Sequence, residues 1–131
     1  MQQNNGTPPH DHHNLTISQA QQLVHNWISA TGAGYFSRLT NTLILAEETG
    51  EIARIIARTD GQQRPKPSDD TTTEHLADEL ADILWVTIAI ANQSKIDLSQ
   101  AFVNNLAKKN IRDKERFALG KPKTDNKQQQ P

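Results

Sequence analysis

Four carboxylates are spaced as two matched pairs: Glu48 with Glu51 in LILAEETGEIARII, and Glu79 with Asp82 in LADELADILWV. The members of each pair are three residues apart, so on a helix each pair shares a face. Glu47 stands beside the first pair, four residues from Glu51. Asp78 stands beside the second, but is rotated roughly 100° from Glu79 on a helix. Apolar residues flank both pairs. Carboxylates crowded together in apolar surroundings either take up protons or destabilise the fold. A hard dication removes both costs. Magnesium takes oxygen ligands in octahedral geometry and keeps waters and substrate phosphates in its shell. Four carboxylates exceed what one Mg²⁺ usually takes from protein, so two or more ions fit when substrate is bound. The competing reading is a solvated helix face on which Glu51 pairs with Arg54 or Arg58. Two apolar-flanked pairs on consecutive helices weigh against it, because solvated faces are not flanked in this way.

A metal site for phosphates calls for positive partners. Seven of the 14 basic residues lie between residues 108 and 123. Lys108, Lys109, Arg112, Lys114 and Arg116 suit a helix C-terminus, where the dipole favours cations. They also suit a clamp on metal-bound phosphates. Asn110, among them, can hydrogen-bond a base or sugar. Trp27, Tyr35, Phe36 and Trp85 are the aromatics available to a base, with Trp85 and Phe36 read as core. His25 and His75 read as surface or helix-packing residues without a catalytic role.

The elements that must position these groups are four helices. The first starts at Thr16, in a capping box with Gln19, and ends at Gly32 and Gly34. The second runs from about Phe36 to Arg58 on an apolar stripe and is stopped by Asp60-Gly61. The third has a capping box of Thr71 with Glu74, and its second half, residues 83–91, is apolar nearly all round, as in a helix buried on several sides. The fourth starts at Asp97, with Gln100 as its box partner, and reaches Phe117; Gly120 and Pro122 close the fold. Alternating strand patterns are absent, so the fold class is all-α.

The 131 residues support one domain, and the apolar residues concentrate between residues 23 and 117. The expected layout is a disordered tail over 1–14, a folded domain over 15–118 and a second disordered tail over 119–131. His10, Asp11, His12 and His13 read as part of a polar tail in preference to a metal site. A core this small favours an oligomer. The chain has no cysteine, which excludes disulfides and fits a cytoplasmic setting. No apolar run approaches the roughly 20 residues of a membrane span. A net charge of -1 does not suit a general nucleic-acid binder.

Three stretches, GYFSRLTNTLILAEETGEIARII, EHLADELADILWVTIAIANQSKIDLSQAF and NLAKKNIRDKERF, resemble the MazG-like nucleotide pyrophosphohydrolases of the all-α NTP pyrophosphohydrolase superfamily. The signature EExxE, spacer, ExxD stands here as Glu47-Glu48-Thr49-Gly50-Glu51, a gap of 27 residues, and Glu79-Leu80-Ala81-Asp82. The resemblance implies a four-helix bundle-like MazG fold completed by oligomerisation, as a homodimer or homotetramer. It implies Glu48, Glu51, Glu79 and Asp82 as ligands of Mg²⁺, with Mn²⁺ able to substitute. Glu47 would act beside them, as a base for the attacking water or in support of the ligands, and with Glu48 forms the catalytic pair. Lys108, Asn110 and Arg112 would contact phosphates and nucleotide, and Tyr35, Phe36 and Asn41 would line the base pocket. The implied reaction converts a (d)NTP to (d)NMP and pyrophosphate in clearing the nucleotide pool, with neither nucleic acid nor membrane as partner. The rival readings are a narrow dUTP or dCTP hydrolase and a non-catalytic helical module that binds a nucleotide or a protein.

Overall fold

Local hydrogen bonds set where the first three helices begin. A computed structural model describes residues 14–119, with side chains to 118; the expected tails and the closure at Gly120 and Pro122 lie outside the described residues, apart from Asn14 and Leu119. Helix α1 is Ile17–Ala30, α2 Arg38–Thr59, α3 Thr73–Gln93 and α4 Leu98–Leu119, and there is no strand among the described residues. No described helix is long and apolar enough to cross a membrane.

The Thr16–Gln19 capping box forms as expected, with both reciprocal bonds present. At α2 the start moves from Phe36 to Arg38, because the Ser37 hydroxyl accepts from Thr40 N at 3.0 Å and takes the cap. Phe36 is thereby left ahead of the helix. Its end is as read: Asp60 caps and Gly61 turns away at φ 76, a left-handed angle that costs glycine little.

The third start is off by one residue. Thr72, not Thr71, is the cap, and its side chain accepts from His75 N at 3.2 Å. The return bond that Glu74 was expected to supply comes from outside the helix, where Asp70 Oδ1 accepts from Thr72 N at 2.9 Å. That amide, helped by the Thr72 hydroxyl, holds the Asp70 carboxyl below its ordinary range. The slip puts His75 at the third helical position, one turn before Glu79. At the fourth helix, the first residue is Leu98, one past Asp97, and the helix runs two residues beyond Phe117.

The chain divides into two compact units at Leu98 and Ser99. In the first, α1 and α2 both pack on α3. Val24 and Ile28 of α1 meet Ile88 and Ala89 of α3, with Ala20, Tyr35 and Leu98 around them. Each such aliphatic side chain contributes roughly 1.5–3 kcal/mol by leaving water. Amide bonds close the same seam: Gln21 Nε2 donates to Asn92 Oδ1, and Asn92 Nδ2 donates back to Gln21 O, both at 2.9 Å. On the far side, Arg58 pairs with Asp69 at 2.7 Å, with both side chains nearly buried, and ties the loop to the end of α2. The apolar half of α3 is only partly covered. Val86, Ile88, Ala89 and Ala91 are buried, whereas Leu84 and Trp85 are exposed. The second unit presents α4 with Phe102, Val103, Leu106, Ile111 and Phe117 exposed.

Candidate active site

Packing α2 on α3 brings three of the four predicted acids together. Carboxylate oxygens of Glu48, Glu79 and Asp82 all lie within 4.8 Å of one another. Glu48 and Glu79 are half-buried and Asp82 is exposed, so the cluster sits at the rim of the helix pair. A hydrogen bond with Glu79, together with burial and the charges of Glu79, Asp82 and Glu47, pushes the Glu48 carboxyl above its ordinary value. Oxygens at this spacing form a donor set for a hard divalent cation, which would relieve that strain.

Glu51 points to a different partner. It forms an ion pair with Arg54, one turn along α2, the arrangement that the solvated-face reading anticipated. Arg54 is about half exposed, so the pair is of the weak surface kind. Glu47 is exposed next to Glu48. His75, read from the sequence as a surface or helix-packing residue, is a neighbour of the cluster: its Nε2 lies 3.5 Å from Glu79 Oε1. The signal was available, since His75 and Glu79 are four residues apart.

Beside the carboxylates opens a cavity of about 480 Å³. This falls in the usual range of small-molecule sites, roughly 300–1,000 Å³. Trp27, Tyr35, Phe36 and Trp85 supply its aromatic wall, Asn41 a polar group, and Glu48 and Asp82 connect it to the acidic cluster. Trp27 and Trp85 meet edge to face at 5.2 Å. The expectation that Phe36 and Trp85 are core residues is therefore corrected. Phe36 is 62% exposed and Trp85 37%, and both face the cavity. The cap at Ser37 explains Phe36, because residues ahead of α2 follow the loop and not the helical stripe. Tyr35 is half-buried, and its hydroxyl accepts from Asn92 Nδ2 at 3.3 Å and lies 3.0 Å from His25 Nδ1.

Lys108, Asn110 and Arg112 are exposed on α4, in the second unit. Arg112 Nε lies 3.4 Å from Asp113 Oδ1.

Comparison with known proteins adds a family. Residues 36–117 match the model of the MazG nucleotide pyrophosphohydrolase domain. The chain is 33% identical over 102 residues to YpjD of Bacillus subtilis (strain 168), covering 78% of this chain and 90% of that one. The crystal structure of YpjD from Bacillus subtilis is similar at a TM-score of 0.64 and 30% identity, covering 72% of this chain and 95% of that chain. The crystal structure of the Bacillus-conserved MazG protein, a nucleotide pyrophosphohydrolase, is similar at a TM-score of 0.61 and 32% identity, covering 73% and 90%.

Proposed function

Because this chain belongs to the MazG nucleotide pyrophosphohydrolase domain family, and is on that ground a nucleotide pyrophosphohydrolase, we propose that it converts a (d)NTP to the (d)NMP and pyrophosphate with Mg²⁺. The observation that carries this reading is the joining of an aromatic cavity to a three-carboxylate cluster through Glu48 and Asp82.

Glu48, Glu79 and Asp82 would hold the metal, and Glu51 would join them after leaving Arg54, an exchange that costs little for a surface ion pair. The chemistry that Mg²⁺ would supply there is charge compensation for the triphosphate and a more acidic water. Exposed Glu47 takes the water's proton. The water oxygen bonds to the α-phosphorus as the bridge between the α- and β-phosphates breaks, and pyrophosphate leaves with the bridging oxygen. Lys108 and Arg112, with Asn110 between them, would stabilise charge on that leaving group. Trp27, Tyr35, Phe36 and Trp85 would stack on the base and exclude water from it. The biological role proposed is the removal of surplus or noncanonical nucleotides in the cytoplasm.

Exposed Leu39 and Leu43 on α2, with Leu80 and Leu84 on α3, support a homodimer or homotetramer. Light scattering is then expected to give at least twice the 14.6 kDa chain mass. The activity is tested by incubation with dNTPs and Mg²⁺, followed by ion-exchange separation of products. Monophosphate plus pyrophosphate is expected. Diphosphate plus orthophosphate, or no turnover of any nucleotide, refutes the proposal.

A further inference from the structure

We infer that Gln93 is a positioning residue: it locks the orientation of the Asn41 carboxamide, so that the cavity offers a fixed hydrogen-bond acceptor to an N–H on the edge of a nucleobase. The inference rests on the nucleotide reading of the site.

The chain of hydrogen bonds starts from a group with no choice. The Phe36 backbone carbonyl can only accept, so the Gln93 atom 2.6 Å from it is the donor Nε2. Gln93 therefore turns Oε1 towards Asn41, and Asn41 answers with Nδ2 at 2.8 Å. One backbone oxygen fixes two side-chain amides in series, an assignment that would otherwise be ambiguous.

Asn41 is 5% exposed, the buried polar side chain among the described residues, and it lines the cavity. With Nδ2 engaged by Gln93, Oδ1 is the end that can receive a donor from an occupant. An unanchored asparagine would turn its amino group to a carbonyl as readily as its oxygen to an N–H. The locked one cannot exchange its oxygen for its amino group without breaking the relay. Aromatic walls accept any flat ring by stacking, so they discriminate little. A buried acceptor discriminates more, because a ring without the matching N–H leaves it unpaired. A triphosphate has no N–H to give, so Asn41 addresses the base while the carboxylates address the phosphates.

The same relay also staples the loop before α2 to α3, and the test must separate the two roles. Trp27 and Trp85, the two tryptophans of the chain, both line the cavity, so intrinsic fluorescence reports binding with or without turnover. The probes are the common dNTP that binds best and its counterpart with the Watson–Crick N–H groups methylated. Wild type is expected to bind the methylated form at least about tenfold more weakly, the equivalent of one unpaired buried acceptor. Gln93→Leu removes the lock and brings the two affinities together. Gln93→Glu breaks the staple to the Phe36 carbonyl, yet keeps an acceptor for Asn41 Nδ2, and so retains the discrimination. Asn41→Ala, which lacks the acceptor, loses it, and serves where Gln93→Leu fails to melt cooperatively. Equal affinities in the wild type, unchanged discrimination in Gln93→Leu or Asn41→Ala, equal loss in Gln93→Leu and Gln93→Glu, or no response of the tryptophans to any dNTP overturns the inference. Discriminating binding without hydrolysis would leave it standing and refute the proposed reaction.

Discussion

Glu48→Gln keeps the size of the side chain and its ability to hydrogen-bond Glu79, but removes one charge from three carboxylates whose oxygens lie within 4.8 Å. Two unit charges at that separation repel by about 0.9 kcal/mol in bulk water and by about 3.5 kcal/mol at an effective dielectric of about 20. Asp82 is exposed and the other two are half-buried, which puts the site towards the watery limit. Relief is therefore about 1 kcal/mol for each of two neighbours, of which the hydrogen bond already offsets a part. The metal-free variant should melt about 4–8 °C above the wild type, the usual effect of about 1 kcal/mol on a domain of this size.

The pH dependence follows from the direction of the Glu48 shift. Its pKa in the folded protein lies above the ordinary 4.5, so the folded state binds the proton more tightly than the unfolded chain. Wild-type stability from this group is complete below 4.5 and is lost as pH rises through the raised value. The advantage of Glu48→Gln should be widest at mildly alkaline pH and shrink on acidification towards the ordinary carboxylate range, as the wild type recovers its proton. The assay is thermal unfolding by far-UV circular dichroism in chelator across that range. A variant that melts at or below the wild type at the upper pH, or a gap that does not narrow on acidification, would refute the repulsion argument.

Other outcomes follow from the same geometry. Mg²⁺ or Mn²⁺ should raise the melting temperature of the wild type, and Glu79→Ala should remove most of that rise; an intact rise in a differential scanning fluorimetry titration shows that Glu79 is not a ligand. Glu51→Gln should weaken the metal titration and Arg54→Ala should leave it intact or strengthen it, since Arg54 competes for the same carboxylate. Trp27→Ala removes a wall of the cavity and the edge-to-face partner of Trp85, and steady-state kinetics should show KM raised about tenfold with a smaller change in kcat, in keeping with about 1–3 kcal/mol per stacked base. Asp69→Ala leaves the nearly buried Arg58 guanidinium without its partner and should cost about 3 kcal/mol in urea unfolding, with the metal-induced rise preserved.

What the sequence made legible was what depends on short-range spacing. The two i, i+3 acid pairs placed Glu48, Glu79 and Asp82 on facing helices, because the 3.6-residue period and an antiparallel return leave few other arrangements. The first cap was readable for the same reason, since Thr16 and Gln19 answer each other within one turn. At the third helix two adjacent threonines competed for the cap. Asp70, outside the helix, settled the choice in favour of Thr72, which a rule confined to the first turn does not see. Glu51 was ambiguous by construction. The same three-residue step offers it Glu48 as a fellow acid and Arg54 as a counterion, and Glu51 pairs with the opposite charge.

The cavity lay furthest from the sequence, because its wall joins residues of three helices, α1, α2 and α3, to the loop before α2. Phe36 and Trp85 look like core residues by composition, yet Phe36 precedes the Ser37 cap and Trp85 sits on the uncovered side of α3. Periodicity assigns a face, but it cannot say which apolar positions are left without a neighbour. The Phe36–Gln93–Asn41 relay illustrates the point: its bonds span 57 and 52 residues, and no local pattern joins an amide near the end of α3 to a loop carbonyl before α2. The acids proposed to hold the metal follow helical spacing within each element, whereas the groups proposed to select the substrate are brought together only by packing between elements. Substitutions in the aromatic wall or the relay should therefore change which nucleotide binds with little effect on the metal-induced rise in melting temperature. Substitutions at Glu48, Glu79 or Asp82 should remove most of that rise whichever nucleotide is offered. A relay variant that also lost the metal response would show that the two halves of the site are one cooperative unit, contrary to this division.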